Sequence, residues 1–151
     1  MKLENKDFLF VFIQFVLFLV YIIDLKIVSV SWLPFLDKTG LFILIMGILI
    51  VLVSLVQLNK NLSPFPTPKL NSKLIKTGLY KFMRHPIYTG ILGIAFGYGF
   101  YIGSIFKLMI ATFIFVLFYF KSKYEEKKLL GFFSEYEAYK KTTGRFLPKF
   151  F

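Results

Sequence analysis

The sequence contains no cysteine and a single histidine, His85. The absence of cysteine excludes disulfides, thiolate metal sites and cysteine nucleophiles. One histidine also excludes a metal site built from several histidines. No G-x-G-x-x-G segment follows a predicted strand, and no P-loop motif occurs, which excludes the soluble nucleotide-binding domains that these motifs mark.

Acidic residues are scarce as well: 8 Asp and Glu stand against 19 Lys and Arg, a net charge of +11. In a soluble protein such a balance would indicate nucleic acid, but no aromatic-basic motif for RNA or DNA is recognisable. The basic residues instead border apolar stretches, where they contact anionic lipid headgroups and set the topology. The sequence therefore predicts membrane lipids as partners and no nucleic acid.

Apolar residues make up 57% of the chain and aromatic residues 21%. Long apolar stretches account for this content and predict an integral membrane protein of one domain, residues 1–151. The first stretch is long and no small-residue cleavage site follows it, so we expect it to be a retained helix. The predicted fold is all-α with four transmembrane helices, at about 8–23, 41–58, 86–103 and 105–120.

Short local signals define how these helices begin and pack. The sequence predicts an interfacial turn at Trp32-Leu-Pro34-Phe. It also predicts that residues 37–40 start helix 2. Pro86 suits the first turn of helix 3. The spacings Gly93 to Gly97 and Gly99 to Gly103 predict close helix packing. Because so few residues connect helices 3 and 4, we expect an antiparallel hairpin.

Two polar segments flank this hairpin. Residues 59–83 contain "SPFPTPKL", whose alternating prolines predict an extended loop. Residues 121–141 place apolar side chains at spacings of three and four, which predicts a C-terminal amphipathic helix lying on the membrane. With Arg84 counted in the first segment and Arg145 and Lys149 in the second, they carry six and eight of the basic residues. Positive charge stays cytoplasmic, so we expect both segments and both termini on the cytoplasmic side of the cytoplasmic (inner) membrane.

Arg84-His85-Pro86-Ile87-Tyr88 stands at the border between the polar loop and helix 3. One interpretation is an anchor, with a snorkelling arginine and a helix-starting proline. The other is an anion site, because a helix N-terminus offers free N–H groups and Arg84 adds a bidentate donor. The residues alone leave both interpretations open.

Glu125 and Glu126 follow helix 4, with Lys121 one turn before Glu125. One interpretation is a solvated charged turn in which Glu125 bonds Lys121. The other is a carboxylate on the side of Arg84, able to accept hydrogen bonds from a ribose or an amine or to lie near a positive sulfonium. Adjacent carboxylates point about 100° apart on a helix, so Glu126 is expected to face away from that site.

The stretches "KLIKTGLYKFMRHPIYTG" and "EEKKLLGFFSEYEAYKK" resemble the isoprenylcysteine carboxyl methyltransferase family and its relatives, the phospholipid methyltransferases. The resemblance covers residues 63–148, and helices 1 and 2 (1–58) match only in kind. It implies a methyltransferase core at 59–151 that transfers a methyl group from S-adenosylmethionine to a lipophilic small molecule or lipid.

Carried over position by position, the resemblance implies catalytic roles for Arg84 and Glu125 and places no metal. Lys121 stands where eukaryotic members carry an arginine tied to the substrate carboxylate. Lysine keeps the charge but loses the bidentate fork, which favours a small lipid or isoprenoid-like acceptor bound at Lys121. The implied cofactor-binding residues are Ser72, Lys73, Leu74, Ile75, Tyr80, His85, Pro86, Ile87, Tyr88 and Glu125.

Two other functions stay open at this point. Related small membrane folds bind a nicotinamide cofactor in a similar pocket, so a membrane reductase is one alternative. A membrane protein without enzymatic activity, in which the Arg-His-Pro motif is only an anchor, is the other.

Overall fold

The computed structural model describes residues 3–23 and 34–149. Within those residues the secondary structure is helical, apart from one isolated bridge between Met83 and Gly144, which agrees with the all-α prediction. Two single 3₁₀ turns, Asn59–Asn61 and Gly78–Lys81, lie between the second and third helices. The α-helices are α1 Asn5–Ile22, α2 Pro34–Leu58, α3 Pro86–Tyr101, α4 Ile105–Phe132 and α5 Tyr136–Thr142.

In the described part of the chain, three helices are long and apolar enough to cross a membrane: α1, α2 from Phe35, and α4. The protein is therefore an integral membrane protein. Helix α3 has 16 residues, a length of about 24 Å against a hydrocarbon core of about 30 Å. The fourth span stays a prediction. The predicted interfacial Trp32 and the end of helix 1 at Asp24 lie outside the described residues.

Helix α2 begins at Pro34, seven residues before the predicted start at Leu41. Proline has no N–H group, so at the first helical position it leaves no unsatisfied donor. Pro34 therefore starts α2 just as Pro86 starts α3. The segment read as a start signal lies inside the helix, where Asp37 is exposed and Gly40 is buried. The prediction was wrong because a glycine within a helix also serves close packing.

Glycines let the backbones of α2 and α3 touch. A Cβ added to Gly47 would lie 2.6 Å from the Ile94 amide nitrogen, and one added to Gly40 would lie 2.8 Å from the Gly97 carbonyl oxygen. On the α3 side, a Cβ on Gly93 would lie 3.1 Å from the Cα of Gly47. The Gly93 to Gly97 spacing is thus a packing face as predicted, and its partner is α2.

Helices α3 and α4 form the predicted hairpin. The turn between them holds Gly103 at φ +65, and the Ser104 hydroxyl caps α4 by accepting from the Lys107 amide. Gly99 packs against Leu108 of α4, as close helix packing predicts, whereas Gly103 lies beyond the end of α3 in the turn. The core between these helices is Leu92, Phe106, Ile110, Ile114 and Phe118, and α1 packs against α4 from outside.

The continuous amphipathic helix predicted for 121–141 is wrong in its bounds. Helix α4 continues to Phe132, because its last turns consist mainly of Lys, Glu and Leu, which favour a helix. Phe133 then adopts an extended conformation, with φ −117 and ψ 115, and α5 begins at Tyr136. As a result of this break the apolar stripe faces inward. Its residues Leu129, Phe133, Tyr136 and Tyr139 line a cavity.

Candidate active site

The loop between α2 and α3 is fastened to the helices at defined points. The side chain of Asn61 pairs with the backbone of Lys73, donating to its carbonyl and accepting from its amide, both at 3.2 Å. Thr67 donates to the carboxylate of Asp7, from its amide at 3.1 Å and from its hydroxyl at 2.9 and 2.8 Å. Asp7 is fully buried at the start of α1. The proline-rich loop is therefore a fixed wall.

That wall encloses a cavity of about 340 Å³ together with α3, α4 and α5. Its size lies within the range of small-molecule pockets. The lining residues are Gln14, Leu58, Asn61, Leu62, Ser63, Pro64, Phe65, Pro66, Thr67, Pro68, Lys69, Ser72, Lys73, Leu74, Ile75, Tyr80, Arg84, His85, Ile87, Tyr88, Ile91, Lys121, Glu125, Leu129, Phe133, Tyr136 and Tyr139.

The cavity brings together nearly all the residues that the sequence singled out. The segment 72–75, Tyr80 and Arg84 meet there, as do the other implied residues His85, Ile87, Tyr88, Lys121 and Glu125. Pro86 does not line it; Pro86 is buried at the start of α3. About forty residues separate Arg84 from Glu125, so the α3–α4 hairpin produces this meeting.

Glu125 is the carboxylate that faces the cavity. Its side chain is 25% exposed, and its Oε2 accepts a hydrogen bond of 3.0 Å from the Tyr88 hydroxyl. The His85 Nδ1 lies 3.7 Å from the same oxygen. His85 stacks on Tyr88 with 5.3 Å between ring centroids, and Tyr88 stacks on Phe118 at 4.4 Å. The rings thus hold Tyr88 so that it presents its hydroxyl to Glu125.

Lys121 is 1% exposed and does not form the predicted bond with Glu125. Its Nζ donates to Gln14 Oε1 at 2.6 Å and to the Pro64 carbonyl at 2.9 Å, and it lies over the Tyr88 ring at 5.6 Å. The interpretation of a solvated Lys121–Glu125 pair is therefore wrong. Lys121 ties α1 and the proline-rich loop to α4 at the cavity wall.

Glu126 does not face away from the polar residues as expected. Its side chain is 2% exposed, and it accepts from Arg84 Nε at 2.9 Å and from Arg145 Nη2 at 3.0 Å. The His85 Nε2 and the Lys140 Nζ each lie 3.4 Å from its carboxylate. Glu126 is the centre of a buried ion cluster that borders the cavity without lining it.

Residues 143–146, which we call the tail strap, follow α5 and lie beside the chain that leads into α3. The amides of Arg84 and His85 donate to the carbonyls of Gly144 and Arg145, at 2.9 and 3.1 Å. The Arg84 Nη1 also donates to the carbonyl of Thr143. The strap thus holds the backbone of both motif residues, a contact that the sequence did not indicate.

Buried tyrosines complete the cavity wall on the α5 side. The Tyr139 hydroxyl donates to the Tyr80 carbonyl at 2.5 Å. Burial raises the pKa of Tyr139 to about 12, and it raises the pKa values of Tyr80 and Tyr136 further still. These phenols therefore stay protonated at neutral pH, and Tyr139 acts as a neutral donor.

Sequence reasoning missed several cavity residues for identifiable reasons. Gln14 interrupts the apolar run of α1, and a polar residue inside a span is by itself a functional-site signal. Phe133, Tyr136 and Tyr139 carried a helical spacing that looked like a lipid-facing stripe. Arg145 carried no local signal at all, because only the fold brings the strap beside Arg84.

A comparison with known families shows which family contains this chain. The family model described as phospholipid methyltransferase matches residues 36–136, two thirds of the chain. The chain belongs to the phospholipid methyltransferase family. The matched range contains the loop wall, the α3–α4 hairpin, Glu125 and Glu126.

A second comparison supports the resemblance to the isoprenylcysteine carboxyl methyltransferase family. The protein is 43% identical over 79 residues to protein-S-isoprenylcysteine O-methyltransferase of Saccharomyces cerevisiae. The match covers 50% of this chain and 32% of the yeast protein, so the chain matches about a third of that relative's length. The family model and this relative are both named as methyltransferases.

Proposed function

We propose that the protein transfers a methyl group from S-adenosylmethionine to a lipophilic acceptor at the cytoplasmic face of the membrane. One observation carries the proposal: a single cavity in a chain of this family is lined by 72–75, Tyr80, Arg84, His85, Tyr88 and Glu125. These are the positions that resemble the family's cofactor-binding residues.

The chemistry of the lining suits an adenosyl sulfonium ligand. Glu125 offers a partly exposed carboxylate that can accept from a ribose or an amine and can balance a positive charge. The stacked rings of His85 and Tyr88 offer aromatic faces of the kind that bind onium cations. The segment 72–75 adds both polar and apolar residues to the lining on the loop wall.

When bound, S-adenosylmethionine supplies a methyl group activated by a positively charged sulfur. The residues of this chain need to supply position more than chemistry, and fixed orientation alone lowers a barrier by about 7–11 kcal/mol. Tyr88 holds the Glu125 carboxylate in place, and Lys121 fixes Pro64 of the loop wall. Arg84 adds positive charge on the cavity wall beside these groups.

Access from two phases fits the position of the cavity. Its lining includes apolar residues of the helix ends, such as Leu58 and Ile91, as well as polar loop residues such as Ser72 and Lys73. A lipophilic acceptor reaches such a site from the bilayer, and a polar donor reaches it from water. Arg84 and His85 lie at the depth where both meet.

Contacts between segments support a fourth span and a shared side. The start of α1 contacts the loop through Asp7 and Thr67, and the loop contacts the α4–α5 turn through Lys76 and Glu135 at 2.5 Å. If α4 crosses the membrane, the chain must cross once more for these segments to meet. Helix α3 supplies that crossing, and the positive charge of the segments favours the cytoplasm.

Calorimetry with the purified protein in detergent tests the donor. S-adenosylhomocysteine is expected to bind and to raise the melting temperature, since a ligand at a hundred times its Kd adds about 2.7 kcal/mol. NADPH serves as the comparison ligand. A shift with NADPH and none with S-adenosylhomocysteine or S-adenosylmethionine would contradict the proposal and favour a reductase.

A transfer assay tests the acceptor. Radiolabelled S-adenosylmethionine is incubated with the protein and either phosphatidylethanolamine vesicles or an S-isoprenylcysteine analogue. We expect label to enter the organic phase with at least one of these lipophilic acceptors. Label that stays in the aqueous phase with both would contradict a lipophilic acceptor of either class.

A further inference from the structure

Arg145 connects the tail strap to the ion cluster at the cavity. Its Nε donates to Glu126 Oε1 at 3.1 Å, and its Nη2 donates to Glu126 Oε2 at 3.0 Å. Arg84 Nε donates to the same Oε1 at 2.9 Å. One carboxylate is therefore shared between an arginine of the cavity wall and an arginine of the strap.

The backbone of the strap completes the connection. Its carbonyls at Gly144 and Arg145 accept from the amides of Arg84 and His85, and the Phe146 carbonyl accepts from the Thr89 hydroxyl at 2.6 Å. Both the backbone and the side chain of Arg84 are thus held by residues that come after α5. A strap that leaves this position releases the two backbone amides, while the Arg84 side chain keeps its bonds to Glu126 and to the Lys140 carbonyl.

Contact with the cavity separates these residues into two pairs. Arg84 and His85 line the cavity, whereas Arg145 and Glu126 lie behind them and do not line it. Without Glu126, the guanidinium groups of Arg84 and Arg145 would face each other without a shared anion, and like charges at such distances repel. Without Arg145, Glu126 would retain Arg84 but the strap would lose its bidentate anchor.

We propose that Glu126 and Arg145 are positioning residues, which lock the tail strap onto Arg84 and His85 and so set the ligand affinity of the cavity. The inference rests on the proposed function for its ligand. It adds to that function a mechanical link between the end of the described chain and the cavity, in which docking of the strap and ligand binding favour each other.

Variants of Arg145 test the ligand side by calorimetry with S-adenosylhomocysteine. Arg145→Gln removes the charge and is expected to weaken binding by about tenfold, the effect of losing one charge-assisted hydrogen bond. Arg145→Lys keeps the charge without the fork and should restore part of the affinity. Lys141→Gln is the matched control, since Lys141 is 75% exposed and pairs only with the exposed Glu137 in the described chain.

The double variant Glu126→Gln with Arg145→Gln tests the coupling. If the two residues act through one lock, the double variant binds about as weakly as the worse single variant, which is non-additive. Fully additive losses would mean independent effects and would overturn the lock. A lower melting temperature for Arg145→Gln with affinity within about twofold of the wild type would reduce Arg145 to a structural role.

Hydrogen exchange provides a readout that needs no ligand. The amides of Arg84 and His85 are expected to be protected in the wild type and to exchange about tenfold faster in Arg145→Gln, with Lys141→Gln unchanged. Unaltered exchange in Arg145→Gln would overturn the inference even if the ligand binds. If the wild-type protein binds no adenosyl ligand, the proposed function fails, and the exchange result alone decides the lock.

Discussion

Glu125 and Glu126 are neighbours in sequence and lie in different surroundings. Glu125 faces the cavity and bonds Tyr88, while Glu126 is buried between Arg84 and Arg145. The 100° between successive helical residues separates them, as the sequence analysis assumed. The expectation that Glu126 is remote from the site was wrong, because the strap and the chain before α3 pack against that other side of α4.

The first prediction concerns the charge of Glu125. Glu125→Gln keeps the shape of the side chain and removes the charge that faces the ligand. We expect S-adenosylhomocysteine to bind about ten- to a hundredfold more weakly, because a hydrogen bond to a charged group is worth about 1.5–3 kcal/mol. Calorimetry measures the change. Glu137→Gln, at a side chain 71% exposed, is the control; equal affinity in both variants would remove Glu125 from the site.

Helix α1 is joined to the rest by hydrogen bonds at three points, in addition to the packing of its apolar residues against the core. Asp7 holds Thr67, Gln14 holds Lys121, and the Tyr21 hydroxyl donates to the Ala95 carbonyl at 2.7 Å. Much of the remaining surface of α1 is exposed and apolar, as a lipid-facing helix requires. The position of α1 and that of the loop wall therefore depend on each other through single side chains.

The second prediction tests the tie at Asp7. Asp7→Ala leaves the Thr67 amide and hydroxyl without their acceptor, so the proline-rich loop should open more often. We expect trypsin to cut after Lys69 or Lys73 about tenfold faster, which corresponds to about 1.4 kcal/mol of lost local stability. Asp37→Ala removes an exposed aspartate from the first turn of α2 and should leave the cleavage rate unchanged. Equal rates for both variants would show that Asp7 does not hold the loop.

The pair α2–α3 is held by backbone contact at glycines. Where helices meet in a membrane, small residues permit this approach and dispersion replaces the hydrophobic effect. At Gly47 there is no space for a Cβ, whereas at Gly131 nothing lies within 4 Å of one. The chain therefore contains both a glycine that the fold requires and a helical glycine that it does not.

The third prediction uses this contrast. Gly47→Ala should lower the melting temperature in detergent, with a loss of about 1–3 kcal/mol from overpacking. Gly131→Ala should raise it slightly, since alanine favours a helix over glycine by about 1 kcal/mol. Thermal unfolding of the two variants side by side gives the answer. A loss at Gly131 as large as that at Gly47 would mean that the close contact at Gly47 does not explain its loss, because helix propensity favours alanine at both positions.

At the scale of the whole molecule, the polar segments gather at one end. The start of α1, the proline-rich loop, and the end of α4 with the turn after it contact one another through Glu4, Tyr124, Thr67, Lys76 and Glu135. The turn between α3 and α4 lies at the other end of the hairpin. The cavity belongs to the polar end, where the basic residues concentrate.

The fourth prediction is the topology itself. The chain has no cysteine, so each introduced cysteine is the only thiol. Lys73→Cys and Lys141→Cys should both be protected from an impermeant thiol reagent in intact cells, and Tyr101→Cys should react. Labelling after permeabilisation is the control for access. Protection of all three positions, or reaction at Lys73 or Lys141, would contradict four spans with a cytoplasmic site.

The sequence by itself determined the membrane class and the hairpin, and its resemblance to a known family indicated most of the residues that converge on the cavity. Apolar length, proline at a helix start and a short connection act locally, and a helix presents them wherever it packs. Only the tertiary structure decided that α2 is the partner of the α3 glycines, that the C-terminal stripe turns inward and that Arg145 meets Glu126. Those choices depend on contacts between segments far apart in the chain, for which no spacing within one segment contains a signal.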